Sequence, residues 1–486
     1  MRWKCFVMLV LCGFFSSPLL AEAIKLDEAS IPKLLAESPQ SELSASLAKE
    51  AASRFQSESF DNQYHTLGFI EGAYESHSGN WEQVSPTGVA KPAISAAFGL
   101  RKKMPYGIQV EGSVSQYKRS TEFPGISTSS FGFIPQLSLK IDLWKNLAGS
   151  YDQSQKSRFQ SHVDIASLES KLQTHLLVNQ ARMLFWEIAG VDKRVSIVKK
   201  MQEAARTQEK LAKQRQDMSI ADSGELALYS SKSAERRAKL LSLEYQRSAL
   251  VEALSQIIPV LNGKEVLISA GRVDQIGPKV IACSQAIKNY PKAPTKFSPY
   301  HKLIKLLEDK LSHERELNQA HLKGELSLSA TYSKTGSGEQ YSETFKDSWE
   351  SNRSSRKLLL NFSYPLGNKQ AAYDHKQAAD NFSFQSQKSQ WEQSLNAKHK
   401  HMLVSFDYLV QAVQTQKMNT QFLYRSLKSV EKKYAQARLD VYQLIGEQER
   451  SLNNDLAMVD TQLQIVKAVL EYLSLFSEFP CEFNQI

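Results

Sequence analysis

The 486-residue sequence predicts an α+β membrane protein in which β-strands feed directly into very long coiled-coil helices, the whole unit being written twice. Three observations predict it. Short segments alternate apolar and polar residues with period two. The last strand segment of each half hands over to a long proline-free stretch with apolar residues three and four apart. The same handover then recurs in the two halves of the chain.

The first residues read as a targeting segment. Arg2 and Lys4 precede an apolar run at 5–15, and Ala21, Glu22 and Ala23 supply small residues at cleavage spacing, so 1–23 is expected to be a signal peptide. A lipoprotein signal acylated at Cys12 is the rival, disfavoured by bulky Leu11 where a small residue is wanted. Beyond it, mean hydropathy is −0.39 and no apolar run approaches the roughly 20 residues of a membrane helix, so membrane contact would go through strands. Net charge is +9, and loss of Arg2, Lys4 and Glu22 with the signal leaves +8. Basic and acidic residues are interleaved along helices rather than gathered in a patch, which argues against nucleic acid as a partner.

Residues 24–62 hold an expected N-terminal helix over about 31–60, with Leu34, Leu35, Leu43, Leu47 and Ala51 in loose helical spacing. Residues 63–146 turn to strands. Ile70, Gly72 and Tyr74 alternate with Glu71, Ala73 and Glu75; Ile94, Ala96, Phe98 and Leu100 form a second segment; 102–107 reads as a turn; Ile108, Val110, Gly112 and Val114 form a third. Leu137, Leu139, Ile141 and Leu143 complete the set. Segments of about ten residues with one oily and one wet face carry the weak signature of an outer-membrane barrel, although a soluble hairpin sheet fits the middle pair nearly as well.

Residues 147–262 form the first long helical hairpin. Ala181, Leu184, Ile188, Val191, Val195 and Val198 make a coiled-coil seam, and a turn falls near Asp217 and Met218. Gly263, Gly271, Gly277, Pro278, Pro291 and Pro294 mark 263–298 as an irregular connector. The second copy follows: a helix at 299–323, strands at 324–368 around a polar loop at 334–355, a long helical hairpin at 369–479, and a tail at 480–486. Its strand sets Leu326, Leu328, Ala330, Tyr332 and Leu358, Leu360, Phe362, Tyr364 alternate cleanly. Met402, Phe406, Leu409, Val413, Leu423, Leu427, Val430 and Tyr434 form its seam, and the chain turns near Ala437. At 1.5 Å per residue such a helix runs on the order of 100 Å, which fits a tube better than a globule.

No enzyme is expected, and no cofactor or metal. His399 and His401 are two apart and cannot share a helix face. His313, Glu314 and His321 lie on a polar helical stretch and read as solvated, and neither a phosphate-binding loop nor a nucleophile motif is present. Of 4 cysteines, Cys5 and Cys12 would leave with the signal. Cys283 and Cys481 remain, and spacing alone does not say whether their Cα atoms come within about 7 Å.

The strand-exit segments Asp142-Leu143-Trp144-Lys145-Asn146 and Tyr364-Pro365-Leu366-Gly367-Asn368, the Leu-Ser-Leu-Ser-Ala-Thr-Tyr strand from Leu326, and the duplication resemble the TolC family of outer-membrane efflux proteins over nearly the whole mature chain. The resemblance implies a homotrimer in the outer membrane of a Gram-negative bacterium, each protomer giving strands to one shared β-barrel and helices to one periplasmic tunnel. It also implies a periplasmic adaptor (membrane fusion) protein and an inner-membrane pump as partners. The implied function is the outer-membrane channel of a tripartite efflux or type I secretion system, passing small molecules or proteins. A structural or adhesive coiled-coil protein with an outer-membrane β-anchor is the alternative, which leaves the duplication unexplained.

By the same resemblance, Asp217 with Met218 and Ala437 with Arg438 occupy the adaptor-docking turns, although Asp and Ala replace the usual glycine. Asp222, Tyr434, Arg438 and Asp440 fall where the family closes its tip, against a competing reading as solvated charges at a turn. Cys283 and Cys481 are implied to pair. The strands at 67–76 and 136–144 are implied to be barrel strands, leaving 94–117 as an additional hairpin. Lys102, Lys103 and Lys118 favour a place for it outside the bilayer, extending the sheet on the outer side. Removal of 90–121 is then expected to leave trimers intact.

Overall fold

The structure is a computed structural model and describes residues 23–36, 38–56, 64–75, 89–90, 93–123, 126–218, 223–268, 273–289, 298–364, 367, 369–436 and 438–476. The chain divides into two units, one of residues 1–44, 171–299 and 394–486, the other of residues 45–170 and 300–393.

The first unit is helical. Helix α3 (Ser150–Asp217), which begins in the second unit, has 68 residues and α4 (Ser223–Ile257) 35; in the second half of the chain α8 (Lys369–Ala435), which also begins there, has 67 and α9 (Val441–Leu475) 35. The duplication read from the sequence is thus matched in helix length to within one residue. Both predicted seams are packed inward over part of their length, with Leu184, Val195, Leu409, Leu423, Leu427, Val430 and Tyr434 half-buried. Ala181, Ile188, Val191 and Val198 are buried, as are Met402, Phe406 and Val413, together with Leu463, Val466 and Leu470 of α9. Strand β1 (Ala23–Leu26) pairs in parallel with β7 (Glu265–Ile268) and closes one side of this core. Arg247 fixes the pair's position, donating to Asp192 at 2.5 Å and to the Val266 carbonyl at 2.7 Å.

The described residues of 263–298 hold regular structure that its glycines and prolines do not predict. It contains β7 and helix α5 (Val273–Lys288), which buries Cys283, Ser284 and Ile287 along one stripe. The N-terminal helix is likewise two helices, α1 (Ile31–Ala36) and α2 (Pro39–Gln56). A proline at the first turn of α2 suits a helix start, because its missing N–H is unpaired there in any case.

The second unit is built on one antiparallel sheet of strand order β10-β8-β6-β5-β4-β2. Its strands are β2 (Thr66–Glu75), β4 (Ala93–Met104), β5 (Ile108–Phe123), β6 (Ile126–Asp142), β8 (Glu325–Lys334) and β10 (Ser354–Ser363). Two short strands flank this path, β3 (Val89–Ala90) on β5 and β9 (Gly336–Gly338) on β6. Helix α6 (Pro299–Leu322) precedes β8, as predicted.

The sheet corrects the expected place of the hairpin. β4 and β5 lie between β2 and β6, so β2 reaches the other strands through β4. Of the lysines that argued against this, Lys118 lies towards an end of the apolar face, Lys103 is on the polar face, and Lys102 stands on the apolar face in the row of Val110, Leu139 and Leu358. Lys103 points to the polar face and donates to Asp152 at 2.8 Å, while Lys102 is two residues from the end of β4. Lys118 lies towards the other end, 5.5 Å above the ring of Phe131. The predicted turn at 102–107 shortens to Pro105–Gly107.

The polar loop expected at 334–355 also holds structure: β9 and helix α7 (Tyr341–Glu350). Among the described residues no helix is long and apolar enough to cross a membrane.

Candidate functional site

The strand register assigns every side chain of the sheet to one of two faces, since directly paired residues in an antiparallel ladder share a face. Ile70, Phe98, Val114 and Pro135 form one row, Leu139, Ala330 and Leu358 another, and Ile141, Leu328 and Leu360 a third. All belong to the same face. Ser138, Thr331 and Lys357 share a row on the opposite face, with Ser113 and Gln136 in another. Six strands therefore share one mostly oily and one mostly wet side, with Lys102, Gln116 and Arg356 as polar side chains on the oily one.

Apart from Phe131 and Phe133, which meet the rings of α7, the oily side is largely uncovered among the described residues. Ile70 is 87% exposed and Leu358 76%, with Phe98, Leu137, Leu360 and Phe362 also more than half exposed. Water is an unfavourable neighbour for a continuous apolar face of this extent.

At the helix-proximal end of the sheet the repeated strand-exit segments meet. Trp144 stacks at 6.0 Å on Phe362 and at 6.4 Å on Tyr364. Gly324 lies beside them, where a Cβ would meet the Ser363 carbonyl and the rings of Tyr364 and Trp144 at 3.0–3.2 Å. Polar groups turn the chain there. Asn146 accepts from the Asp152 backbone N–H and donates to its carboxylate at 2.7 Å, and Lys145 pairs with Glu325 at 2.8 Å.

The second candidate region lies beside the turn between α3 and α4 in the helical unit. Tyr434 donates to Glu225 at 2.8 Å and accepts from Arg215 at 2.8 Å, while Arg215 pairs with Glu225 at 2.6 Å. Tyr229, 1% exposed, donates to the Tyr434 hydroxyl at 3.3 Å. Arg215, Glu225, Tyr229 and Tyr434 thus join α3, α4 and α8 above a small apolar cluster of Ala212, Tyr229 and Ile445. Burial, then the Tyr434 hydrogen bond, raises the Tyr229 phenol. The same tyrosine raises the Arg215 guanidinium.

The sequence placed Tyr434 here but chose other companions. Asp440 is the N-cap of α9, accepting from the Gln443 backbone N–H at 2.8 Å, the ordinary use of an aspartate before a helix. Arg438 is exposed, with its backbone N–H bonded to the Lys433 carbonyl at 2.9 Å. Asp217 is the last residue of α3, and Met218, 69% exposed, follows it. Asp222 and Ala437 lie outside the described residues. Arg215, Glu225 and Tyr229 escaped the sequence reading because each is one charge or ring among many on a long helix.

Helix α8 carries a further signal. Val404, Tyr408, Met418 and Phe422 are each more than half exposed. At about 100° per residue they fall on one stripe, roughly opposite the buried Met402, Phe406 and Val413. A helix apolar on two opposite sides is built to be packed on both.

Cys283 is 5% exposed and disulfide-bonded. Cys481 lies outside the described residues, and the pairing of the two is our proposal. A non-reducing mass map should recover them in one linked peptide, and Cys283→Ser should lower stability by about 2–4 kcal/mol. Two free thiols in periplasm-derived protein would end the proposal.

No family model matches the chain, and no curated protein matches it in sequence. Solved structures do match in fold. The outer membrane protein VceC of Vibrio cholerae is 12% identical, with a TM-score of 0.62 over 92% of this chain and 95% of that one. CusC, whose structures describe transmembrane channel formation, is 11% identical, with a TM-score of 0.64 over 93% and 92%. The CmeC outer membrane channel of Campylobacter jejuni is 10% identical, with a TM-score of 0.60 over 94% and 88%. Matches of this length at such low identity establish the fold, whose strands and long helices the sequence had already outlined.

Proposed function

We propose that this chain, which has the fold of those outer-membrane channels, is itself an export conduit: the outer-membrane component of a tripartite efflux or type I secretion system in a Gram-negative bacterium. The observation that carries the reading is the division of the six-stranded sheet into an exposed apolar face and a Ser-, Thr- and Gln-rich polar face in continuous register. Lipid is the solvent that suits the first face, and a water-filled lumen suits the second. An open sheet in lipid would leave the edges of β2 and β10 with unpaired backbone groups, so strands must be pooled between copies.

Three copies are the number we propose, from the resemblance to the TolC family. The outward stripe of Val404, Tyr408, Met418 and Phe422 supports helix packing between copies. An adaptor would dock at the turns near Met218 and Arg438, and an inner-membrane pump would supply the substrate. On this reading the polar network around Tyr434 holds the tip closed.

The test is conductance of purified protein in planar bilayers. Discrete steps, enlarged when the Tyr434 network is cut, are the expected result. Trimer-sized particles that never conduct, with or without that network, would favour a structural or adhesive rod.

A further inference from the structure

Helix α7 is ten residues long and stands where a polar loop was expected. Tyr341, Phe345 and Trp349 recur at every fourth position and so fall along one edge of the helix. They are 50%, 55% and 59% exposed. A soluble loop seldom spends three large aromatic rings this way.

The helix is held in place from below. Thr344 and Ser348 are fully buried against β9, where a Cβ on Gly336 would collide with the Thr344 carbonyl and come within 2.6 Å of the Ser348 nitrogen. Asp347 accepts from the Ser337 backbone N–H at 2.8 Å and pairs with Arg353 at 3.0 Å. Each ring of the stripe also meets the oily side of the sheet. Tyr341 lies 4.2 Å from Phe131, Phe345 lies 5.3 Å from Phe133, and the Lys334 ammonium sits 5.8 Å above Trp349. Lys118 takes the matching position over Phe131. The register puts Phe131, Phe133, Lys118 and Lys334 on the same face as Ile70 and Leu358.

We infer that α7 is an interfacial anchor: its aromatic edge lies in the headgroup layer of the membrane beside the far end of the sheet, and Lys334 and Lys118 meet lipid phosphate there. This rests on the reading of the sheet as a membrane wall. The stripe continues the apolar face without a break, and it ends in amphipathic rings and ammonium groups rather than aliphatic chains. Trp and Tyr favour that layer, and lysines at the edge of an apolar band face its anions. Three rings on a ten-residue helix also bury far less than the roughly 1,200 Å² of a stable protein interface, which favours lipid over a protein partner.

The test uses the full chain in phosphatidylcholine vesicles whose lipids are brominated either near the carbonyl end or near the methyl end of the acyl chains. The emission due to Trp349 is obtained by difference from Trp349→Phe, and that due to Trp144 by difference from Trp144→Phe. Trp349 should be quenched about twofold more by shallow than by deep bromines, the pattern of an interfacial ring. Adding phosphatidylglycerol should shift Trp349 emission to the blue in the wild type and leave Lys334→Gln unmoved. If Trp144 is quenched by lipid while Trp349 responds only to aqueous acrylamide, the anchor is refuted and the channel reading stands. If lipid quenches neither, both fall.

Discussion

Phe98→Arg is expected to abolish insertion of the protein into membranes, whereas Ala97→Arg, one residue away, is expected to leave insertion and assembly intact. The two positions lie on β4, in the hairpin that the sequence favoured placing outside the bilayer. In the structure Phe98 pairs with Ile70 on one side and Val114 on the other, in the middle of the oily face, and it is 57% exposed. An arginine at mid-depth on a lipid-facing strand costs about 2–4 kcal/mol per copy, and a shared barrel carries the cost in every copy. Ala97 pairs with Glu71 and Ser115 on the polar face, where an arginine is solvated. Its effect should be on ion selectivity, shifted towards anions. Heat-stable oligomers extracted from the membrane fraction, counted for both variants, decide the matter: equal yields would mean that β4 does not line the bilayer. Removing 90–121 is a weaker test. Loss of an antiparallel pair leaves β2 and β6 antiparallel to each other, so trimers could persist wherever the hairpin lies.

The second large effect is expected at the Tyr434 network proposed to hold the channel closed. Tyr434→Phe combined with Arg215→Met removes the hydroxyl and the cation that tie α3, α4 and α8 together, and leaves Glu225 without either partner. Hydrogen bonds to charged groups contribute roughly 1.5–3 kcal/mol, the lower end applying here because Arg215 is partly exposed. A closed state favoured by only a few kcal/mol loses most of its advantage from such a change. Single-channel conductance without any partner should rise several-fold. Arg438→Ser, at an exposed position, should leave it near the wild-type value. A large rise in Arg438→Ser and none in the double variant would move the gate to the turn after α8.

Much of this architecture is legible in the sequence, and what is missing has physical reasons. Period-two strands such as Leu326 to Tyr332 are visible because one face of the sheet is apolar and the other polar. The long helices are visible because proline is absent and the seams around Ile188 and Phe406 repeat for many turns. Helix α5 was hidden by Gly277 and Pro278, which read as breakers but lie within it. Helix α7 was hidden by its length, too short for periodicity to stand out, although Tyr341, Phe345 and Trp349 at every fourth residue were the signal available. The partners of Tyr434 could not be read, because which arginine of a coiled coil reaches a given tyrosine depends on the crossing of helices far apart in sequence.

The strand order has a consequence at the level of genetics. The edges β2 and β10 come from different halves of the chain, so on the proposed reading a contact between copies joins unlike edges head to tail and runs around a closed ring. A copy with a proline set into β10 still offers a sound β2 to its neighbour and is accepted, then fails to pass the ladder on. Such an allele should be dominant: with half of the copies altered, about one three-membered ring in eight escapes, a ratio set by closed symmetry alone. Co-expression of the altered and normal chains should therefore cost a cell most of its export, while simple halving of the normal gene's dose costs no more than half.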